Sequence, residues 1–165
     1  MIESKSVSQS AELRDRGPQL GAAAPDSVVC FALAGKSYAL DVTVVREVVS
    51  IDKLLPVPRT KSAIAGVFAL HGATIALVDT RILFGLPPAT AANTTLIVAR
   101  GHRTICGLTI DRVLGVARFA ETSFTPAVRG RDPAQIAGFL PHDQGGLLTV
   151  LDTATLLQAL EGLRC

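Results

Sequence analysis

From Ser27 onward the chain is written in short apolar runs broken by Gly- and Pro-bearing turns, and each run is the length of a strand. Val28 to Ala34 predicts a strand, Gly35-Lys36 a tight turn, and Ser37 to Val42 the returning arm of a hairpin. Val44-Val45-Arg46-Glu47-Val48-Val49 reads two ways, because its valines have helical spacing while β-branching favours extended backbone. Pro56-Val57-Pro58 excludes ordinary ladder pairing and predicts a loop. Ala63 to Leu70 and Thr74 to Val78 predict a second hairpin around His71-Gly72, and Gly85-Leu86-Pro87-Pro88 closes the unit. Thr95 to Ala99, a turn at Gly101-His102, and Thr104 to Ile110 predict a third hairpin, followed by a strand-like stretch from Val113 to Phe119. Residues 120–134 read as a loop, Ile136 to Leu140 and Leu147 to Leu151 as strands, and Asp152 to about Glu161 as a helix ended by Gly162.

The elements occur twice. Ala63-Ile64-Ala65-Gly66-Val67-Phe68, leading to Leu77-Val78-Asp79, is echoed by Gln135-Ile136-Ala137-Gly138-Phe139-Leu140, leading to Val150-Leu151-Asp152. A weaker echo joins Ala39-Leu40 and Val45 to Gly107-Leu108 and Val113. The first repeat spans about 28–86 and the second about 94–161. Short strands with Gly and Pro turns, given twice, predict a mainly β fold of two small barrels, Greek-key, SH3-like or OB-like, with a short C-terminal helix. Residues 1–26 show no sustained periodicity beyond a brief helical stretch at Ala11-Glu12-Leu13-Arg14, and read as a mobile tail before a domain spanning 27–165.

Composition adds limits. Hydrophobic residues make up 48% and charged residues 18%, so a sizeable core is expected, with apolar surface left for partners. A net charge of +2 argues for neither nucleic acid nor an anionic membrane. No apolar run reaches the roughly 18 residues of a membrane span, and Met1 to Ser6 does not open a signal peptide. Cys30 and Cys106 sit within apolar strands as small buried hydrophobes, Cys165 reads as an exposed thiol, and no ligand spacing joins the three. A reducing cytoplasm is the expected compartment.

Candidate chemistry is sparse. Asp79, Asp111 and Asp152 each follow an apolar strand and read as caps of the following turn or helix rather than as metal ligands. His71, His102 and His142 make no ligand set, and no nucleophile, zinc or phosphate-loop motif occurs. No enzyme activity, cofactor or metal is expected. Arg100, His102, Arg103, Arg129 and Arg131 could contact phosphates, which makes a small barrel binding single-stranded nucleic acid the alternative reading. Aromatics at 4%, scattered without a stacking platform, weigh against it.

In order along the chain, Tyr38-Ala39-Leu40-Asp41-Val42, Val45-Arg46-Glu47-Val48, Ile64-Ala65-Gly66-Val67, Leu70-His71-Gly72, Leu77-Val78-Asp79, Gly107-Leu108-Thr109-Ile110-Asp111 and Ile136-Ala137-Gly138 form one series. The series resembles the CheW family, the coupling proteins of bacterial chemosensory arrays. The resemblance implies two interlocked five-stranded barrels, and a scaffold that binds the cytoplasmic tip of a chemoreceptor and the regulatory domain of a histidine kinase. It also implies partner contact at Val45 and Glu47, at Val113 and Val116 in the second repeat, and at Gly66 and His71. The family pattern Asn-Leu-Arg-Gly stands here as Ala69-Leu70-His71-Gly72, and Ala76 replaces a proline. A fixed cation with forked donors becomes a smaller, titratable ring, which points to specialised or accessory coupling.

Overall fold

The computed structural model describes residues 27–58, 63–87, 94–118, 123–133, 135–142 and 145–163. The tail, its helical stretch and Cys165 lie outside the described residues. The strands are β1 (Ser27–Leu33), β2 (Lys36–Asp41), β3 (Val45–Ser50), β4 (Ile64–Leu70), β5 (Ala73–Val78), β6 (Thr94–Arg100), β7 (Arg103–Ile110), β8 (Arg112–Arg118), β9 (Thr125–Pro126), β10 (Ile136–Pro141) and β11 (Leu147–Leu151). Helix α1 (Thr80–Leu83) follows β5, and α2 (Thr153–Leu163) follows β11.

The ambiguous valine stretch is extended beyond its first residue, Val44, so the β-branched reading holds over the helical one. Val42–Val44 forms one 3-10 turn, started by Asp41, whose side chain accepts from the Thr43 amide. Val45–Ser50 is then extended, as β-branching favours. Gly162 does not end α2, which continues to Leu163, because a single glycine inside a helix costs only about 1 kcal/mol and is outweighed by packing. The expected loop over 120–134 contains β9, two residues paired with β10 at a sheet edge, where Pro126 has no ladder hydrogen bond to lose.

The sheet orders show how the duplication is built. One sheet runs β8-β1-β2-β11-β10-β9 and the other β3-β6-β7-β5-β4. Matching the repeats element by element (β1 with β6, β2 with β7, β3 with β8, β4 with β10, β5 with β11) converts one order into the other, apart from the short β9. Each repeat therefore inserts its first hairpin into the sheet completed by the other. The joins are the two parallel pairings, β2 with β11 and β7 with β5. Even β9 has a counterpart, the isolated bridge between Leu55 and Val67.

Period-two alternation explains why the first strand of each repeat is apolar on both faces. On β1, Val29, Phe31 and Leu33 face a central core, while Val28 and Cys30 face the interior of their own sheet. On β6, Leu96 and Val98 join the central core and Ile97 lies in the other interior with Phe68, Ile75 and Leu77. Leu156 and Leu160 of α2 are fully buried in the central core, each contributing about 1.5–3 kcal/mol relative to exposure. Tyr38 stacks on Phe31 within that core, with ring centroids 5.7 Å apart.

Candidate partner-binding surfaces

The β4–β5 connection is a two-residue hairpin turn, Leu70 pairing with Ala73 across His71-Gly72. Both turn residues have positive φ, 49° and 82°, as the favoured hairpin turns require. Histidine is one of the few side chains that visit this region with some frequency. The turn drives the His71 ring outward, its side chain 73% exposed, with Nε2 2.9 Å from Oε1 of Glu47 on β3. β3 and β4 are opposite edges of their sheet, so this contact shows the sheet curling until its edges meet. Val49 and Ile51 from one edge and Leu70 from the other pack on the same interior cluster, which supplies the apolar reason for the curl. The exposed pair contributes at most about 1 kcal/mol, so its effect is to orient rather than to stabilise.

Glu47 owes its direction to a β-bulge. Val45 pairs with Val98 and Glu47 with Ile97, leaving Arg46 as the extra residue. The Arg46 guanidinium reaches over the β6–β7 turn, donating to the Thr104 hydroxyl and, at 3.1 Å, to the Gly101 carbonyl. On the other sheet β8 has its bulge at the matching place, between the Cys30–Gly115 and Phe31–Val113 pairs, with Leu114 as the extra residue.

The six candidate residues fall into distinct settings. Glu47 and His71 are in contact. Val45 is half-buried against the central core and so presents only part of its surface. Gly66 lies under the chain at 54–55, where an added Cβ would fall 2.5 Å from the Leu55 carbonyl oxygen, so it is covered rather than open. Val113 and Val116 sit on β8 in the other sheet, 37% and 66% exposed. Sequence reasoning passed over Val48, 44% exposed on β3 and the counterpart of Val116. The repeat alignment that selected Val116 carried the signal for it.

The remaining polar groups are occupied structurally. Asp79 caps α1 by accepting from the Arg81 and Ile82 amides, and Asp152 caps α2 by accepting from Thr155. Asp111 departs from the capping expectation. Its carboxylate accepts from the Ala34 amide and pairs with Arg81. Among the described residues no cluster of His, Cys, Asp and Glu could hold a metal ion. Cys30 and Cys106 are buried. Of the basic residues considered for phosphate contact, Arg100 and Arg103 share the Glu161 carboxylate, at 2.9 and 3.7 Å.

Comparison with known proteins places residues 27–161 on the family model of the CheW-like domain. The chain is 31% identical over 94 residues to the chemotaxis protein CheW of Thermotoga maritima, covering 57% of this chain and 62% of that protein. It is 26% identical over 135 residues to the Bacillus subtilis chemotaxis protein CheW, covering 80% of this chain and 86% of the relative. Among solved structures it matches the scaffolding protein TtCheW of Thermoanaerobacter tengcongensis, with a TM-score of 0.67 and 28% identity, over 78% of this chain and 90% of that one. These relatives are chemotaxis and scaffolding proteins by name, and the nucleic-acid alternative has no support among them.

Proposed function

This chain belongs to the CheW-like domain family, and from that premise we propose that it is a non-enzymatic adaptor coupling chemoreceptors to a histidine kinase. The observation that carries the proposal is the exchange of hairpins between repeats. It produces two related outer strands, β3 and β8, with the same bulged geometry and different side chains. One rigid chain can then hold two different partners in a fixed relation, a task that needs no catalytic group. The two interior clusters and the central core between them make the relation stiff.

Val45, Glu47 and His71 in one sheet and Val113 and Val116 in the other are the contact residues of this reading, and Val48 joins them. Gly66 acts from beneath, by letting the 54–55 segment lie flat on β4. The partners are the cytoplasmic tip of a chemoreceptor and the regulatory domain of the kinase. No helix among the described residues is long and apolar enough to cross a membrane. The adaptor works in the cytoplasm and is recruited to arrays through its partners. His71 keeps a hydrogen bond to Glu47 but offers single ring donors in place of a guanidinium fork, which makes coupling weaker or more selective. Calorimetric titration of the full chain with a receptor-tip fragment and with the kinase regulatory domain tests the proposal. Saturable binding to both is expected, and binding to neither would refute it.

A further inference from the structure

The contact between His71 and Glu47 stands apart from other charge. Strands β4 and β5, joined by the turn that carries His71, have no charged residue. Glu47 is the only carboxylate on the five strands of its sheet. Arg46 beside it is held over the β6–β7 turn by Gly101 and Thr104. Asp52 and Lys53, exposed on the segment leading from β3 to the bridge at Leu55, carry opposite charges. Among the described residues Glu47 is the only carboxylate within ion-pair distance of His71. The imidazole, held outward by a turn with φ of 49°, thus answers to a single acidic partner.

An ionised carboxylate only accepts, so a neutral His71 ring places its one hydrogen on Nε2, toward Oε1 of Glu47. Nδ1 is then left as an acceptor, and the pair carries a net negative charge. A second proton goes to Nδ1. The ring then donates on both sides and the pair is neutral. One proton therefore reverses the hydrogen-bonding sense of the free nitrogen at the place where the sheet edges meet. Val49, Ile51 and Leu70 hold those edges together in either state, so the change is confined to the surface. We infer that His71 is a proton-operated switch for receptor coupling. The protonated ring donates from Nδ1 to an acceptor on the receptor tip, and the contact is lost as pH rises. The net negative charge of the deprotonated pair acts in the same direction, by repelling that acceptor. The switch depends on the adaptor reading and adds regulation to one of its contacts. An arginine here would keep its charge and donors at every physiological pH, whereas imidazole changes charge between about pH 5 and 8.

Titration of the full chain with a receptor-tip fragment at about pH 6 and about pH 8 tests the switch. Wild-type affinity is expected to fall roughly fivefold from the lower to the higher pH, the size of one exposed charge-assisted contact. His71→Arg should bind tightly at both pH values and His71→Gln weakly at both, with each variant shown to be folded by its thermal melt. His102→Gln, on the separate β6–β7 turn, should keep the wild-type dependence. A wild-type affinity that is equal at the two pH values, or higher at the upper one, would overturn the inference and leave the adaptor reading standing. So would a dependence that persists in His71→Arg, which would place the ionising group elsewhere. Binding or a pH response confined to the kinase regulatory domain would overturn it as well. Wild type that binds neither protein at either pH would remove the adaptor reading and the switch together.

Discussion

Arg81 of α1 holds both carboxylate oxygens of Asp111, at the β7–β8 corner, at 2.9 Å. The pair ties the end of the first repeat to the middle of the second. Asp111 also accepts from the Ala34 amide at 3.0 Å, which fixes the β1–β2 turn where Ala34 has a φ of 53°. Arg81 donates in addition to the Pro87 carbonyl, and its side chain is only 14% exposed. One carboxylate thus serves three segments distant in sequence, at the place where the hairpins interlock.

Removing either partner should therefore cost more than an ordinary surface ion pair. Asp111→Ala and Arg81→Met are each expected to lower unfolding free energy by about 1–2 kcal/mol, the lower range applying because Asp111 is a third exposed. The double variant should lose less than the sum of the two singles. Denaturant titration of the four proteins measures this directly. Additive losses would mean that the pair does not couple the repeats.

The two repeat-related glycines give a matched test of the architecture. An added Cβ would lie 2.5 Å from the Leu55 carbonyl oxygen at Gly66, and 2.4 Å from that of Thr125 at Gly138, where the Phe124 ring is also 2.5 Å away. Gly66→Ala and Gly138→Ala should each destabilise by about 1–3 kcal/mol, since backbone must move in both cases. Gly162→Ala, in helix α2 with nothing within 4 Å of the new atom, should instead stabilise by a few tenths to about 1 kcal/mol. Thermal melts of the three variants decide the matter, and unchanged melting of both strand variants would contradict the crossing of segments 54–55 and 124–125 over those strands.

Much of this was legible in the chain because the physics is local and repeated. The hairpins follow from alternation and turn residues, and the duplication from Ile64-Ala65-Gly66 and Ile136-Ala137-Gly138. The residues themselves do not reveal that each first hairpin crosses into the other sheet, since β1 and β6 are apolar on both faces and period-two patterning cannot choose between neighbours. The Glu47–His71 contact depends on how far a sheet curls, and the Asp111–Arg81 pair on the interlock, so neither has a signature in spacing. Val48 is legible through its counterpart Val116, because β3 and β8 carry their bulges at matching places and both valines stand exposed beyond them.

Tyr38, the chain's only tyrosine, reports on the central core without labelling. Its ring lies between Phe31 and Phe84, both centroids 5.7 Å away, and burial raises its pKa above the usual value of 10.0 by disfavouring the phenolate. In the unfolded chain the phenol ionises near its ordinary value, so above that pH the unfolded state releases its proton first. The stabilising contribution is complete below pH 10 and declines as pH rises toward the folded-state value. Ultraviolet titration of phenolate absorbance should show ionisation displaced upward in the native protein and shifted back in denaturant. Identical titrations in the two states would contradict the packing assigned to Tyr38.

His71 is the position where the chain leaves its family's pattern, and the geometry around it defines what an arginine would do there. The ring is exposed, so a longer charged side chain meets no buried environment, and Glu47 already waits as an acceptor on β3. An arginine can engage that carboxylate through two parallel hydrogen bonds and keep further donors for a partner, whereas the imidazole has one nitrogen left. Its cost is the positive φ of the turn, about 1 kcal/mol or less for a side chain without histidine's tolerance of that region. His71→Arg should therefore melt within a few degrees of wild type while binding the receptor tip or the kinase regulatory domain several-fold more tightly. Glu47→Gln added to His71→Arg should remove most of the gain, because the carboxylate orients the fork. Titration of the three proteins with both partners checks each step. Unchanged affinity of a folded His71→Arg for both partners would show that this position does not tune coupling.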